Sequence, residues 1–311
     1  MKNPAKYPWA EKSPYERYFD FIANKTDRYA ILTGHIRTLR LNSAVLPVAG
    51  NRHIFIFPPG QKTQQCVNGV FPFRDSCPYM LAAHYDRVPG SPGANDNSIA
   101  VFHLLNTALI LAEQNIDQWI IVFTDKEELQ AGESYEDQGS FTLASKFKSW
   151  GLEKAKIFNF DACGCGSSFI FSTTTDHILK NSDRPNIQNV RENIIKLRDH
   201  ALDTAQNMQL EKVLLAPTPF SDDIGFLRAG LAAQTITILP SNEADHYSAL
   251  LRSRPDFADI IISGAIKTPA EYHRLPETWK TLNSAADTFS RLTPQHFELV
   301  VRFMTELCRK Q

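Results

Sequence analysis

Short apolar runs alternate with amphipathic segments along most of this chain, from residue 78 to the C-terminus. Buried strands are indicated by PYMLAAH, QWIIVFTD and AKIFNFD, and the intervening segments SIAVFHLLNTALILAEQ and FTLASKFKSWG have helical spacing. Strands that alternate with helices build a parallel sheet that is covered on both faces. The sequence therefore predicts an α/β fold of three layers, α/β/α, with a mostly parallel central sheet.

The same rhythm continues toward the C-terminus. Further helices are predicted at VRENIIKLRDHALDTAQNM and DDIGFLRAG, and further strands at KVLLAPTP and AAQTITILP. The last predicted helix is TPQHFELVVRFMTELCRK, with Thr293 as the expected N-cap and Pro294 as the first helical residue. Residues 183–189 and the segment after residue 242 are expected to be surface excursions.

The chain before residue 78 has a different pattern. PYERYFDFIANKTDRYAILTGHIRTLRL has helical spacing, whereas SAVLPVAG and RHIFIFPPG alternate in the manner of two strands of a hairpin. No linker or repeat divides the chain. We therefore expect a single domain, 1–311, in which residues 1–77 form N-terminal helices and a hairpin packed on the sheet.

The charge and cysteine content restrict the expected partners and compartment. The 311 residues carry 33 Lys+Arg against 34 Asp+Glu, a formal net charge of -1, so no positive excess attracts nucleic acid or an anionic membrane. No segment approaches the roughly 18 apolar residues of a membrane span. Small molecules or peptides are therefore the expected partners. The 5 cysteines leave at least one unpaired, which favours a reducing compartment and predicts a cytoplasmic location.

Metal-competent side chains follow three of the predicted strands. His84 and Asp86 end the first, Glu127 and Glu128 follow the second, and Asp161 ends the third. Ligand sites of open α/β sheets lie beyond the carboxyl ends of the strands, so these side chains are expected at one edge.

Each of these residues also has an ordinary interpretation. A lone histidine is usually hydrogen-bonded or solvated, an acidic pair usually belongs to a charged loop, and Asp96 in the turn PGSPGANDN is suited to cap the next helix. The coincidence at successive strand ends favours a metal site over these separate interpretations.

The residue types fit zinc. Zinc binds imidazole nitrogen and carboxylate oxygen, and a carboxylate can bridge two metals roughly 3.5–4 Å apart. Glu127, next to the candidate ligand Glu128, is then placed to act as a general base. Asp86 lies two residues from His84 on the same side of the strand, where it can orient the imidazole.

Several segments together resemble a known family. AAHYDRVPGSPGANDNSIAV resembles a His-x-Asp motif followed by a Gly-Ala-x-Asp-Asn turn, FTDKEELQ a Glu-Glu motif, and NFDACG a strand-ending Asp. PFSDDIGFLRAGLAA and LNSAADTFSRLTPQHF are weaker matches. In this order the motifs resemble the zinc aminopeptidases with a co-catalytic metal pair, leucine-aminopeptidase-like exopeptidases that are related to the glutaminyl cyclases.

The resemblance implies a mixed eight-stranded sheet and removal of N-terminal residues from peptides. It also implies roles for the strand-end residues. His84 and Asp161 are implied to bind one zinc and Glu128 a second, with Asp96 as the bridge. Glu127 is implied to be the base, and Asp86 to support His84.

This sequence departs from the family pattern at three places. Asn283 of LNSAADT stands where the family has a histidine ligand, so the second zinc is expected to bind more weakly than the first. His246 and His273 are the candidate replacements. A polar insertion, QAGESYEDQ, separates Glu128 from the following Gly-Ser pair, and Asp223 stands where the family often has histidine.

Other chemistries are less well supported. Cys163 and Cys165 follow Asp161, but their glycine neighbours favour a tight turn over thiolate ligands. The chain has no Gly-x-Ser-x-Gly elbow and no phosphate-binding loop of the Walker type. A zinc aminopeptidase is therefore the leading hypothesis. The alternatives are a cyclase-like acyl transferase and a metal- or peptide-binding relative without catalysis.

Overall fold

Eight strands form one mixed sheet in the computed structural model, which describes residues 21–22, 27–71, 73, 76–264 and 268–309. The strands are β1 (Asn42–Val48), β2 (Asn51–Phe57), β3 (Tyr79–His84), β4 (Trp119–Thr124), β5 (Lys156–Phe160), β6 (Ser168–Ser172), β7 (Val213–Ala216) and β8 (Ala233–Leu239). Their order across the sheet is β1-β2-β4-β3-β5-β8-β6-β7.

Helices cover this sheet. They are α1 (Arg28–Thr38), α2 (Ile99–Glu113), α3 (Gly139–Trp150), α4 (Thr174–Leu179), α5 (Pro185–Asn207), α6 (Asp222–Arg228), α7 (Ser241–Ser253), α8 (Phe257–Ser263), α9 (Pro269–Arg274), α10 (Glu277–Thr281) and α11 (Phe297–Leu307). Among the described residues, no helix has the length and apolarity needed to cross a membrane.

The central strands are buried on both faces, as their continuous apolar sequences predict. Every residue of β3 and β4 is buried. Leu81 and Ala83 face a core built with α2, α5 and α11, whereas Met80 and Ala82 face a core built with α3. Because successive side chains of a strand point to opposite faces, this division requires a helical layer on each side. The predicted three-layer fold is confirmed.

The predicted N-terminal hairpin is present, but it does not pack on the sheet. β1 and β2 pair in antiparallel register, with Asn42 opposite Phe57 and Val48 opposite Asn51. β2 then pairs with β4, so the hairpin extends the edge of the same sheet. Of the helices expected in 1–77, α1 is observed, and residues 1–20 and 23–26 lie outside the described residues.

Three sequence predictions differ from the structure. β6 is not among the predicted strands; it pairs antiparallel with β8 and parallel with β7 and so contributes to the mixed character of the sheet. The expected surface excursions belong to helices α5 and α7. Thr293 and Pro294 begin a separate 3-10 turn before α11, and the Thr293 hydroxyl bonds the backbone of Gly164 and Gly166.

The parallel register brings three strand ends to one edge. His84 of β3 lies opposite Thr124 of β4, and β5 runs parallel to β3 on its other side. The chain therefore leaves β3, β4 and β5 at neighbouring points. This edge carries the candidate functional residues.

Gly139 allows α3 to begin directly against the end of β4. A Cβ at this position would lie 1.7 Å from the backbone oxygen of Asp125, a distance that only a shift of the backbone can relieve. The Gly139 N–H donates to the Lys126 carbonyl at 2.8 Å. The loop after β4 is thus held in direct backbone contact with the start of α3.

We expect Gly139→Ala to lower the free energy of unfolding by about 1–3 kcal/mol, because the added methyl group forces the β4 loop away from α3. The matched control is Gly34→Ala in α1, where a Cβ meets no atom within 4 Å. It should raise the stability by up to about 1 kcal/mol. Guanidinium denaturation measures both variants, and equal stability of Gly139→Ala and the unsubstituted chain would contradict the contact.

Candidate metal centre

A buried histidine lies at the centre of the group of strand-end residues. His84 is 0% exposed, and its Nε2 lies 3.1 Å from Asp96 Oδ1 and 3.8 Å from Asp161 Oδ1. Its Nδ1 lies 3.4 Å from Asp86 Oδ1. The sheet edge therefore brings together the residues that the sequence assigned to the first metal and to its support.

Asp86 connects the end of β3 to the loop after β4. Its two carboxylate oxygens accept hydrogen bonds from the backbone N–H groups of Glu127 and Glu128, at 3.1 and 3.0 Å. One oxygen also faces the imidazole of His84. Burial by itself raises the pKa of Asp86, but the hydrogen bonds and charge of His84 and these N–H groups lower it below its usual value. Asp86 thus remains a carboxylate.

Asp96 is delivered by the turn Ala94–Ser98, which departs from helical geometry at Asp96 itself. The N-cap of α2 is Ser98, so the alternative interpretation of Asp96 as a helix cap is wrong. Asp287 holds this turn in place. Its carboxylate accepts hydrogen bonds from the backbone N–H groups of Asn95 and Asp96 at 2.8 and 3.0 Å.

Arg28 supports the same turn from α1. Its guanidinium donates to the Asp86 carbonyl at 2.7 Å and the Gly93 carbonyl at 3.3 Å, and it also bonds the Ser98 hydroxyl. One cation therefore joins the segments that carry His84 and Asp96. Neither Arg28 nor Asp287 is among the site residues predicted from the sequence. Asp287 lies in the segment LNSAADT, which resembles a motif of the family. No local sequence pattern distinguishes Arg28.

Unpartnered atoms at this site test whether a metal ion fits. Within the described part of the chain, Glu128 Oε1 and Asp161 Oδ1 are buried without a hydrogen-bond partner, and His84 Nε2 lies 3.1 Å from Asp96 Oδ1 without the geometry of a hydrogen bond. Ligand atoms of His84, Asp96 and Glu128 all lie within 4.8 Å of one another. Buried polar atoms without partners are costly, and this set of nitrogen and oxygen donors is one that zinc accepts. The residues therefore fit a divalent cation.

The electrostatics of the acidic residues also fit a cation. Burial, with the charge of nearby Asp161, raises the pKa of Asp96 to about 6. Burial and Asp96 likewise raise the pKa of Glu128 to about 8. Carboxylates crowded in this way repel each other, and a bound divalent cation reverses the effect on each of them.

The pKa of the His84 imidazole is raised as well, but by its neighbours rather than by burial. Burial lowers its pKa, but the neighbouring carboxylates of Asp161, Asp86 and Asp96 together raise the pKa well above the usual value. In the absence of a metal, the imidazole is the nearest cation for these acids. A metal replaces that proton, since a ligating histidine must be neutral.

Two more acids are buried behind the site. Asp222 accepts from the Thr124 hydroxyl at 2.5 Å, and Asp223 accepts from the Ser221 N–H at 3.0 Å. Burial raises the pKa of Asp222 to about 6 and that of Asp223 to about 7. In the sequence, Asp223 is distinguished only as a departure from the family pattern, and nothing in the sequence predicts that both acids are buried at the start of α6.

A cavity of about 300 Å³ opens beside the carboxylates. Asp96, Glu127, Glu128 and Asp161 line one side, and Asn283 lines it where the sequence expected a weaker ligand. Apolar and aromatic side chains line another part of it: Leu129, Tyr135, Phe220, Ile261, Trp279 and Leu282. Neutral polar side chains complete the lining: Gln138, Thr218, Ser221, Thr235 and Thr237. The cavity thus combines acidic, apolar and neutral polar surfaces.

The remaining candidate ligands lie elsewhere. His246 and His273 are exposed and do not line the cavity, so neither replaces the family histidine. The thiols of Cys163 and Cys165 donate to backbone carbonyls. Burial raises the pKa of Cys163 well above its usual value and that of Cys165 to about 12, which disfavours thiolate ligands.

Comparisons with known proteins agree with this geometry. The model of peptidase family M28 matches residues 69–302, about three quarters of the chain. No curated protein sequence matches. A zinc aminopeptidase from Bacillus subtilis is 16% identical with a TM-score of 0.50, and the match covers 82% of this chain but 48% of that one. The chain thus spans about half the length of that protein.

Two other solved structures match along nearly their whole length. A leucine aminopeptidase precursor from Bacteroides thetaiotaomicron is 14% identical with a TM-score of 0.62, and the match covers 97% of this chain and 98% of that chain. The glutaminyl cyclase of Porphyromonas gingivalis is 15% identical with a TM-score of 0.61, covering 96% of this chain and 97% of that chain. At these identities the similarity shows a shared fold.

We expect Asp287→Asn to weaken zinc binding by about 10- to 100-fold, because an amide cannot accept both N–H groups that hold the Asp96 turn. The matched control is Asp203→Asn, an exposed residue of α5, which should leave the affinity unchanged. Competition with a chromophoric chelator measures both variants. Equal affinities of the two would show that Asp287 does not support the metal turn.

Proposed function

This chain belongs to peptidase family M28, and from that premise we propose that it is a zinc-dependent aminopeptidase that removes N-terminal residues from peptides. One observation carries the proposal. Glu128 and Asp161 each present a buried carboxylate oxygen without a hydrogen-bond partner among the described residues, and both line a cavity together with Glu127, next to the imidazole of His84. A purely structural metal site needs neither the cavity nor the additional acid.

The candidate ligands form two zinc positions that are expected to differ in affinity. His84, Asp96 and Asp161 would hold one zinc ion. Glu128, with Asp96 as a shared carboxylate, would hold a second, for which Asn283 offers only a neutral amide oxygen. Bound zinc supplies Lewis-acid chemistry toward the substrate carbonyl and toward water. We therefore expect the first position to be filled more completely than the second.

Glu127 is suited to be the general base. Its N–H is fixed by Asp86, and its Oε1 accepts from Gln138 Nε2 at 3.1 Å. Burial, opposed by the charge of His84 and assisted by that of Glu128, raises the pKa of Glu127 well above its usual value. A carboxylate with a raised pKa takes a proton from water more readily, and it can then pass that proton to the departing amine.

The cavity supports an exopeptidase. At about 300 Å³ it lies at the small end of ligand pockets, which suits the end of a peptide better than a segment of extended chain on both sides. Its apolar wall includes Phe220 and Trp279, which can receive a side chain of the substrate. The proposed substrate is therefore the N-terminal portion of a peptide or an aminoacyl compound.

The cellular location stays a prediction. Cys66, Cys77, Cys163, Cys165 and Cys308 are all free thiols. Free thiols support a reducing compartment such as the cytoplasm.

We expect Glu127→Gln to abolish peptide hydrolysis while the zinc content stays nearly unchanged, because an amide cannot accept the proton but leaves the ligands in place. The matched control is Glu136→Gln, an exposed acid of the same loop that forms an exposed ion pair with Arg228. It should retain full activity. The assay is release of N-terminal residues from a peptide panel, together with metal analysis of each variant.

An active Glu127→Gln variant would rule out Glu127 as the base. The same panel should include peptides with N-terminal glutamine. Formation of pyroglutamate without release of free amino acids would replace the proposal by a cyclase-like acyl transfer.

A further inference from the structure

The inserted segment of residues 130–138 places one of its side chains against the proposed base. Gln138 is 2% exposed and lines the cavity. Its Nε2 lies 3.1 Å from Glu127 Oε1 and 3.3 Å from the Glu127 carbonyl oxygen. The backbone carbonyl oxygen of Glu127 can only accept a hydrogen bond, and so can its carboxylate when it is ionised as a base, so the amide group presents its nitrogen to Glu127.

The orientation of this amide is fixed at its other end. Gln138 Oε1 accepts a hydrogen bond from the Ser140 hydroxyl at 3.0 Å. Rotation of the amide by half a turn would direct its oxygen at the Glu127 carboxylate and remove the acceptor of Ser140. Gln138 therefore has one favoured arrangement, in which it donates to Glu127.

The main chain around Gln138 is fixed as well. The next residue is Gly139, whose Cα lies too close to the Asp125 backbone to accommodate a side chain and whose N–H donates to Lys126. Gln138 is thus tied to the same loop that carries Glu127. A side chain anchored in this way can hold its neighbour to a narrow range of positions.

The rest of the inserted segment is ordered by its own contacts. Lys126 Nζ lies 3.0 Å from Glu133 Oε1, and Ser134 and Asp137 form a reciprocal capping pair. The ring of Tyr135 packs edge-on against Phe220, with centroids 5.6 Å apart. The inserted segment is therefore an ordered part of the cavity wall, and it holds Gln138 in place.

We propose that Gln138 is a positioning residue for Glu127, and that the inserted segment serves the reaction by delivering it. This inference rests on the proposed role of Glu127 as the general base. Asp86 holds the backbone of Glu127 and Gln138 holds its carboxylate, so the two contacts together define where the proton acceptor lies. A base displaced by a fraction of an ångström loses rate without losing the substrate.

The test is Gln138→Met, which keeps the length of the side chain and removes all three of the side-chain hydrogen bonds described above. In the zinc-loaded full chain we expect kcat for peptide hydrolysis to fall by about 10- to 100-fold, with KM and zinc content unchanged. The matched control is Gln130→Met, the same substitution at an exposed position of the inserted segment, which should leave kcat unchanged. A crystal structure of Gln138→Met should show the Glu127 carboxylate displaced.

Two further variants separate a positioning role from a general loss of structure. Gln138→Glu keeps the shape but turns an oxygen toward Glu127, and its kcat should fall at least as far. In a Glu127→Asp background, whose shorter carboxylate has already left the contact, Gln138→Met should have little additional effect.

The outcomes distinguish this inference from the function on which it rests. Unchanged kcat in Gln138→Met, or a loss that simply adds to that of Glu127→Asp, would overturn the role of Gln138 while leaving the peptidase activity in place. An unsubstituted, zinc-loaded chain that hydrolyses no peptide would overturn the proposed function itself, and the role of Gln138 with it.

Discussion

The candidate centre depends on one half-buried carboxylate, that of Asp86. Its two oxygens accept from the backbone N–H groups of Glu127 and Glu128, and one of them also faces the imidazole of His84. The end of β3 and the loop after β4 are therefore joined by a single side chain. Without this contact, the parallel register would still bring the strand ends together, but it would not set the direction of the Glu-Glu loop.

The other supports act on the same small group of backbone segments. Asp287 holds the Asp96 turn through two N–H groups, and Arg28 joins that turn to the Asp86 carbonyl. These contacts come from α1 and from the chain before α11, at opposite ends of the sequence. The result is a rigid acidic pocket whose carboxylates repel each other until a cation binds. Protein rigidity and metal affinity are thus coupled, since a looser pocket would let the acids move apart.

The local sequence pattern was sufficient to predict much of this architecture. The continuous apolar runs of β3, β4 and β5 predicted buried parallel strands, and the residues that follow them predicted the site because strand ends of a parallel sheet share an edge. The family expected from the motifs is the one whose model matches the chain. Contacts made across long stretches of sequence could not be predicted in this way. Arg28 lies 58 residues from Asp86, and Asp287 lies 191 residues from Asp96, so no periodicity connects either pair. The same limitation applies to Gln138, whose importance appears only when the inserted segment folds back on Glu127.

The central claim is that the convergent side chains form a zinc centre of unequal halves. Anomalous diffraction at the zinc absorption edge, on crystals grown with zinc, tests it most directly. We expect a strong peak about 2.0–2.2 Å from His84 Nε2 and from oxygens of Asp96 and Asp161, and a weaker peak beside Glu128. Full zinc occupancy at the first position, with lower occupancy beside Glu128, would support the proposed zinc centre. Absence of a peak there at saturating zinc, or a zinc bound through other residues, would contradict it.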